Sequence, residues 1–238
     1  MEEEETFAIP KTEKGEYEEF KREKKLKAVH SELKKLCVDG TEYGLTMEAL
    51  QKKRNEAEKY GLCGICVYPV HVKTCKRQLL QGIVRCRIPG GESTVKTKAY
   101  ACKRAVADGA DEIVFSVCAS AVKSNNKPYL RKEIKRMKKS AKKRPVIARL
   151  QTNLYTQAEV YDYLRLANDC GLHAVLLADS ANLHSEIFTR AKNVAPEVRL
   201  YAEAVNDAEA FRSLMLLGAD GAQGSNCAFV AEALLSEI

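Results

Sequence analysis

A helix with one apolar stripe, a glycine and a short apolar strand together form a unit that recurs along the chain. In one copy, apolar residues recur at helical spacing from Val95 to Val106, and Gly109 follows as a helix-ending residue. Residues 113–117 are then mostly β-branched or aromatic, which is typical of a buried strand. A glycine and a candidate strand follow again after Tyr60, Cys170 and Leu217. Repetition of one helix–strand unit predicts a parallel sheet with helices outside it.

Eight strands can be placed in this way. We predict them at residues 36–39, 64–68, 83–88, 113–117, 146–151, 174–178, 198–204 and 219–223, with a last helix at residues 226–238. Eight strands and eight outer helices predict an α/β protein with a (β/α)8, or TIM, barrel. We expect residues 1–35 to form an N-terminal arm and helix and residues 36–238 to form the barrel domain.

The composition fits one such domain. A chain of 238 residues with 45% hydrophobic residues is large enough to build a complete barrel core. Its apolar runs are too short to span a bilayer, and its acidic N-terminus is unlike a signal peptide. We therefore expect a cytoplasmic protein with no membrane partner.

Nine cysteines raise the question of a metal or redox site. Cys63 and Cys66 have CxxC spacing, but no second pair and no histidine set accompanies them. Positions three apart on a strand also face opposite sides. We interpret the cysteines as buried free thiols, and we expect neither a metal nor a cofactor.

The net charge of +7 is concentrated in residues 131–144. Leu130, Ile134, Met137 and Ala141 form an apolar stripe there, and lysines and arginines take the other faces of the helix. We interpret this segment as a solvated outer helix, since no aromatic residues are interleaved with its charges. A nucleic-acid-associated protein that uses this basic helix is the alternative.

Several segments resemble the deoxyribose-phosphate aldolase family. They are residues 109–113 with Lys96, residues 65–69, residues 218–220 with Gly224 and Ser225, and Asp39 with Thr41. The resemblance extends over residues 38–238. It implies a TIM barrel and, in that family, class I aldol chemistry through a Schiff base.

The family's catalytic residues are replaced in this chain. The resemblance implies a Schiff-base lysine on strand five, further lysines on strands six and seven, and an aspartate on strand four. The matching positions are Ile147, Leu177, Tyr201 and Val114. Because a Schiff base needs an amine and proton transfer needs an acid or base, we predict that this activity has been lost. The alternative is a lyase acting on a small phosphorylated sugar or related carbonyl compound through a displaced lysine, with Lys123 as the candidate.

Alternation along the strands predicts charged side chains inside the barrel. The predicted interior set is Arg85, Arg87, Arg149, Gln151, Asp179, Tyr201 and Glu203. This set is either an internal ion-pair network or a pocket for an anion, which arginine recognises well.

The start of the last helix adds backbone N–H groups to this predicted pocket, at Gly224, Ser225 and Asn226. The resemblance places a phosphate site in the loops after strands seven and eight. In the first of these loops, Glu203 and Ala204 replace a pair of glycines. We predict that the C-terminal mouth of the barrel binds a small anionic molecule, and we leave a homodimer open.

Overall fold

A computed structural model describes residues 11–79, 81–178 and 186–238 of the chain. Eight parallel strands close into one barrel in sequence order, with each strand pairing with the next and β8 pairing with β1. The strands are β1 (Leu36–Gly40), β2 (Gly64–Val67), β3 (Ile83–Ile88), β4 (Glu112–Ser116), β5 (Val146–Gln151), β6 (Ala174–Ala178), β7 (Arg199–Ala202) and β8 (Gly221–Gly224). The predicted (β/α)8 barrel is confirmed.

The described helices surround the barrel. They are α1 (Lys11–Leu33), α2 (Met47–Lys59), α3 (Pro69–Gln78), α4 (Val95–Ala107), α5 (Ala119–Lys123), α6 (Lys127–Ala141), α7 (Gln157–Asp169), α8 (Glu186–Val194), α9 (Ala208–Leu216) and α10 (Cys227–Leu235). Threonine side chains cap the first turns of α2, α4 and α7. In α7, Thr156 and Glu159 form a reciprocal capping box.

Strand β7 ends earlier than the sequence predicts. The strand was expected to reach residue 204, but its ladder stops at Ala202. Ala204 has a φ of 63°, in the left-handed region that an extended strand cannot contain. The chain therefore turns out of the sheet immediately after Glu203, which leaves this side chain at the C-terminal edge of the barrel.

Two apolar clusters separate the outside of the sheet from its inside. The larger cluster joins strands to helices and includes Val84, Ala148 and Leu177. The smaller cluster fills the barrel interior with Cys37, Cys66, Val114, Ile147, Ala174, Leu176 and Tyr201. The predicted alternation holds for β3, β5 and β7, but the β6 position matched to a family lysine does not face the interior. Leu177 faces the helices, and Leu176 is the strand-six residue that faces the interior.

All nine cysteines are free, but the prediction that they are buried holds for seven and is wrong for Cys63 and Cys170. Cys66 is buried in the barrel interior, whereas Cys63 precedes β2 and is only partly buried. The described residues contain no cluster of three or more His, Cys, Asp or Glu that could hold a metal ion. Among the described helices, none combines the length and apolar character needed to cross a membrane.

Candidate ligand site at the barrel mouth

Two arginines converge on one carboxylate at the C-terminal ends of the strands, which we call the mouth. Arg149 of β5 donates from Nε to both Glu203 oxygens at 3.0 Å, and from Nη2 to Oε2 at 2.6 Å. Arg87 of β3 donates from Nη2 to Glu203 Oε1. Glu203 is only 6% exposed. Its carboxylate is therefore held by both guanidinium groups in the way that a bound anion would be.

A second carboxylate reaches the same arginine. Asp39, at the end of β1, lies 3.5 Å from Arg87 Nη2 and accepts hydrogen bonds from the N–H and hydroxyl of Thr41. This cluster of two guanidinium groups and two carboxylates is formally neutral. Asp39 was not among the predicted interior residues. Asp179, which was among them, lies outside the described residues.

Arg85 lies deeper in the barrel, contrary to the prediction that it lines the mouth. Its register partner is Glu112, the first residue of β4, so it belongs to the amino-terminal half of the barrel. Its Nε donates to Glu112 Oε2 at 2.8 Å, and its Nη1 donates to Gln223 Oε1 at 3.4 Å. Its guanidinium also lies 5.1 Å from the centre of the Tyr201 ring. Arg85 and Tyr201 therefore belong to a separate ionic group below the mouth.

Apolar side chains fill the barrel between these two ionic groups. Val114, Ile147 and Leu176 are fully buried there beside Cys37 and Cys66. Burial raises the pKa of the Cys66 thiol to about 12, so this sulfur stays protonated near neutral pH. We call these five side chains the apolar plug. None of them can form a Schiff base or transfer a proton at neutral pH.

None of the eight strands carries a lysine, so an amine could reach the mouth only from a helix or loop. Lys123, the predicted candidate, follows β4 but forms an ion pair with Glu159 at 3.0 Å and is about half exposed. Lys98 is buried, and its Nζ donates to the carbonyls of Gly91 and Ser116 and to Glu133. These three acceptors use all its N–H donors, so Lys98 fixes the loops after β3 and β4 as an ammonium group.

The loops after β7 and β8 meet at the edge of the mouth. A Cβ atom at Gly224 would lie 1.8 Å from the carbonyl oxygen of Val205, so only glycine fits there. Ser225 is exposed and donates its hydroxyl hydrogen to Asn206 Oδ1 at 3.3 Å. Lys53 of α2 donates from Nζ to the Ser225 carbonyl at 2.8 Å. A partly buried cation, which also pairs with Glu42 at 2.9 Å, thus joins the loop where the resemblance places a phosphate group.

The remaining predicted residues lie at the rim. Gln151 ends β5 and is exposed. Asn226 precedes α10, and its side chain makes no capping hydrogen bond with that helix. The mouth therefore brings together Arg87, Arg149 and Glu203, with Asp39 as the member that sequence reasoning missed. Asp39 could have been found from the sequence, because it belongs to the Asp-x-Thr segment and lies two residues after interior Cys37, on the same face of β1.

No family model matches the chain. Curated proteins that are similar to it in sequence share one name. A deoxyribose-phosphate aldolase from Clostridium botulinum (strain Loch Maree / Type A3) is 31% identical over 130 residues, which is 53% of this chain and 61% of that protein. The deoxyribose-phosphate aldolase of Caldicellulosiruptor saccharolyticus is 27% identical over 189 residues, covering 75% of this chain and 78% of that protein. The first match thus spans about three fifths of its relative's length.

Solved structures agree in fold. An aldolase called QR15 superposes with a TM-score of 0.81 at 21% identity, covering 86% of this chain and 96% of its own. A deoxyribose phosphate aldolase from Aeropyrum pernix, described as tetrameric, superposes with a TM-score of 0.76 at 15% identity. The match covers 92% of this chain and 97% of that one. The closed parallel barrel has the fold of these aldolase structures. The chain is a TIM barrel whose sequence is similar to that of deoxyribose-phosphate aldolases.

Proposed function

We propose that this barrel binds a small anionic molecule at its mouth and does not form a Schiff base there. One observation carries the proposal: Arg87 and Arg149 direct their N–H groups at a single point, which the Glu203 carboxylate occupies. A ligand carboxylate, phosphate or sulfate has the geometry to take the same hydrogen bonds. Glu203 then acts as an internal counterion that holds the site when no ligand is bound.

The backbone beside Glu203 supports an exchange between the internal and the external anion. Ala204 is held at a φ of 63°, which costs a residue other than glycine about 1–3 kcal/mol. If the segment takes an ordinary backbone conformation when Glu203 leaves the arginines, release of that strain offsets part of the free energy lost.

A second candidate function is a carbon–carbon lyase that acts on a small phosphorylated sugar or related carbonyl compound. The names and similarity of the curated relatives favour it, and taken alone they favour an active aldolase over a barrel that has lost the activity. Because the strands carry no lysine, this reaction would need an amine from outside them. Lys53 and Lys123, which approach the C-terminal loops from α2 and α5, are the candidates.

Anion-dependent melting tests the first proposal. Sulfate, phosphate and a small dicarboxylic acid should raise the melting temperature at constant ionic strength, because ligands that bind only the folded state stabilise it. Arg149→Ala should lose most of that rise, measured against its own melting temperature without anion. The control is Arg22→Ala on the exposed surface of α1, which should respond like the parent. Equal responses in the two variants would reduce the arginine cluster to an internal ion-pair network.

Borohydride reduction separates the two candidate functions. The protein is incubated with deoxyribose 5-phosphate, reduced and analysed by mass spectrometry. We expect the parent mass to remain unchanged. A reduced adduct would establish Schiff-base chemistry, and its loss in Lys123→Ala or in Lys53→Ala would identify the amine.

We also propose that the protein works in the cytoplasm as a homo-oligomer. Nine free cysteines suit a reducing compartment. The tetrameric Aeropyrum pernix neighbour and the exposed Leu216 and Phe229 on α9 and α10 support assembly. Sedimentation velocity should give a mass above that of one chain, and Leu216→Glu should reduce it.

A further inference from the structure

The excess of basic over acidic residues in this protein lies in one part of the chain. Residues 95–144 carry fifteen lysines and arginines against four aspartates and glutamates, whereas the rest of the chain has more acidic than basic residues. This stretch contains α4, α5 and α6. The net charge of +7 therefore describes one side of the barrel and not its whole surface.

Helices α4 and α6 pack side by side in a defined register. Lys98 pairs with Glu133, and Cys102 Sγ lies 3.9 Å from the carbonyl oxygen of Met137. In both contacts the α6 residue is thirty-five positions later than its α4 partner, so the helices run in parallel. This register places Tyr100 level with Lys135. It brings α4 itself beside α6, although the two helices are separated in the linear sequence.

The outward residues of the two helices form what we call the basic face. Its members are Tyr100, Lys103 and Arg104 on α4, and Lys132, Lys135, Arg136 and Lys139 on α6. The ring of Tyr100 is 74% exposed. No aromatic residue lies among the charges of residues 131–144 because Tyr100 belongs to a different helix.

Four cations of the basic face have no counterion. Lys132, Lys135, Arg136 and Lys139 form no ion pair with any described residue. Together with Pro128 and Arg131 they line a shallow groove that contains no carboxylate. Like charges on adjacent turns repel one another, so the bare face is electrostatically unfavourable. An extended polyanion would remove this repulsion along the full length of the groove.

We propose that the basic face binds single-stranded nucleic acid. The α6 cations lie at three levels of the helix: Lys132, then the adjacent Lys135 and Arg136, then Lys139. These levels are about 4.5–6 Å apart along the helix axis, which suits successive phosphates of one strand. Tyr100 supplies a ring on which a base can stack. A membrane surface fits less well, because an interfacial helix exposes an apolar face and the apolar face of α6 is buried in the barrel. This inference does not depend on the ligand at the mouth.

The test measures fluorescence anisotropy of a labelled twenty-nucleotide RNA at 150 mM KCl and over a salt series. The four α6 cations are replaced together by alanine. The control replaces Arg22, Lys24, Lys25 and Lys52, which are exposed elsewhere on the protein. If all four α6 contacts are to phosphates, the salt slope should fall by about 2.8 in the first variant. Affinity at 150 mM should fall by at least tenfold, whereas the control keeps most of its binding.

Equal losses in the two quadruple variants, or no binding by the parent at 150 mM, would overturn the proposal. Tyr100→Ala should weaken RNA binding about fivefold or more through lost stacking, whereas Tyr43→Ala, at an exposed tyrosine outside the basic face, should not. Identical affinities in the two tyrosine variants would refute the assignment to single strands. Tighter binding to phosphatidylserine vesicles than to RNA, lost in the α6 variant alone, would assign the face to a membrane instead. Unchanged melting temperatures confirm that each variant is folded.

Discussion

Glu203→Gln is the substitution that most directly tests the internal counterion. The parent mouth holds two guanidinium groups against Glu203 and Asp39, so the variant has one positive charge that nothing neutralises. Breaking a buried ion pair from one side costs about 3–5 kcal/mol, and glutamine keeps one acceptor oxygen, so we expect the lower end of that range. For a chain of this length, each kcal/mol corresponds to about 2–4 °C, so the melting temperature should fall by roughly 6–12 °C.

The same substitution should make the protein more responsive to anions. Sulfate no longer competes with a fixed carboxylate, so it should bind the variant more tightly than the parent. Sulfate at about a hundred times its Kd adds about 2.7 kcal/mol to the stability of the folded state. Most of the lost melting temperature should therefore return on addition of sulfate. Differential scanning fluorimetry against a chloride series of equal ionic strength measures this recovery.

Glu112→Gln provides the matched control. It also breaks a buried ion pair, but with Arg85, which is only 4% exposed and lies below the mouth. This variant should lose comparable stability and show no more recovery with sulfate than the parent. If Glu203→Gln melts like the parent, or if sulfate raises all three proteins equally, the internal-counterion account is refuted.

Three further predictions concern the frame around the site. Lys98→Met should lower the free energy of unfolding by about 3–5 kcal/mol, because it leaves Glu133 buried without its cation. Adding Glu133→Leu should recover most of that loss in urea denaturation. Gly224→Ala should cost about 1–3 kcal/mol, since its Cβ would overlap the carbonyl of Val205, and a neutral effect in the same assay would contradict the close approach of the two loops. Burial, followed by nearby Arg199, lowers the pKa of His173 below its ordinary 6.5. The unfolded chain therefore binds more protons, and stability should fall as the pH drops below about 6.5. His173→Gln should flatten that part of a urea-midpoint series from pH 7.5 to 5.5.

The fold could be predicted from the sequence because its signals are local. A glycine after an apolar-striped helix and the alternation along β3, β5 and β7 depend on neighbouring residues alone. The ionic partners could not be predicted in this way, since they depend on register between strands. Arg85 lies beside Glu112 whereas Arg87 lies beside Val114, and this difference assigns the two arginines to different ends of the barrel.

The error at β6 has a different origin. Its five residues are all buried, so burial gives no alternation from which to read the inward side. Leu177 was placed by resemblance, and the error was one residue, which reverses the face of a strand side chain. Tyr100 was missed for a related reason, because only tertiary packing brings α4 beside the basic residues of α6.

The apolar plug limits how a ligand can enter the barrel. Val114 is the register partner of Arg87 and Leu176 is that of Arg149, so buried apolar side chains adjoin both arginines inside the barrel. An anionic head group held at Arg87 and Arg149 thus has nowhere deeper to extend, and the rest of the molecule must point outward. The site would then recognise the charged end of a ligand and discriminate only weakly between different groups at the other end. Molecules that share a head group but differ in chain length should therefore compete with similar affinity.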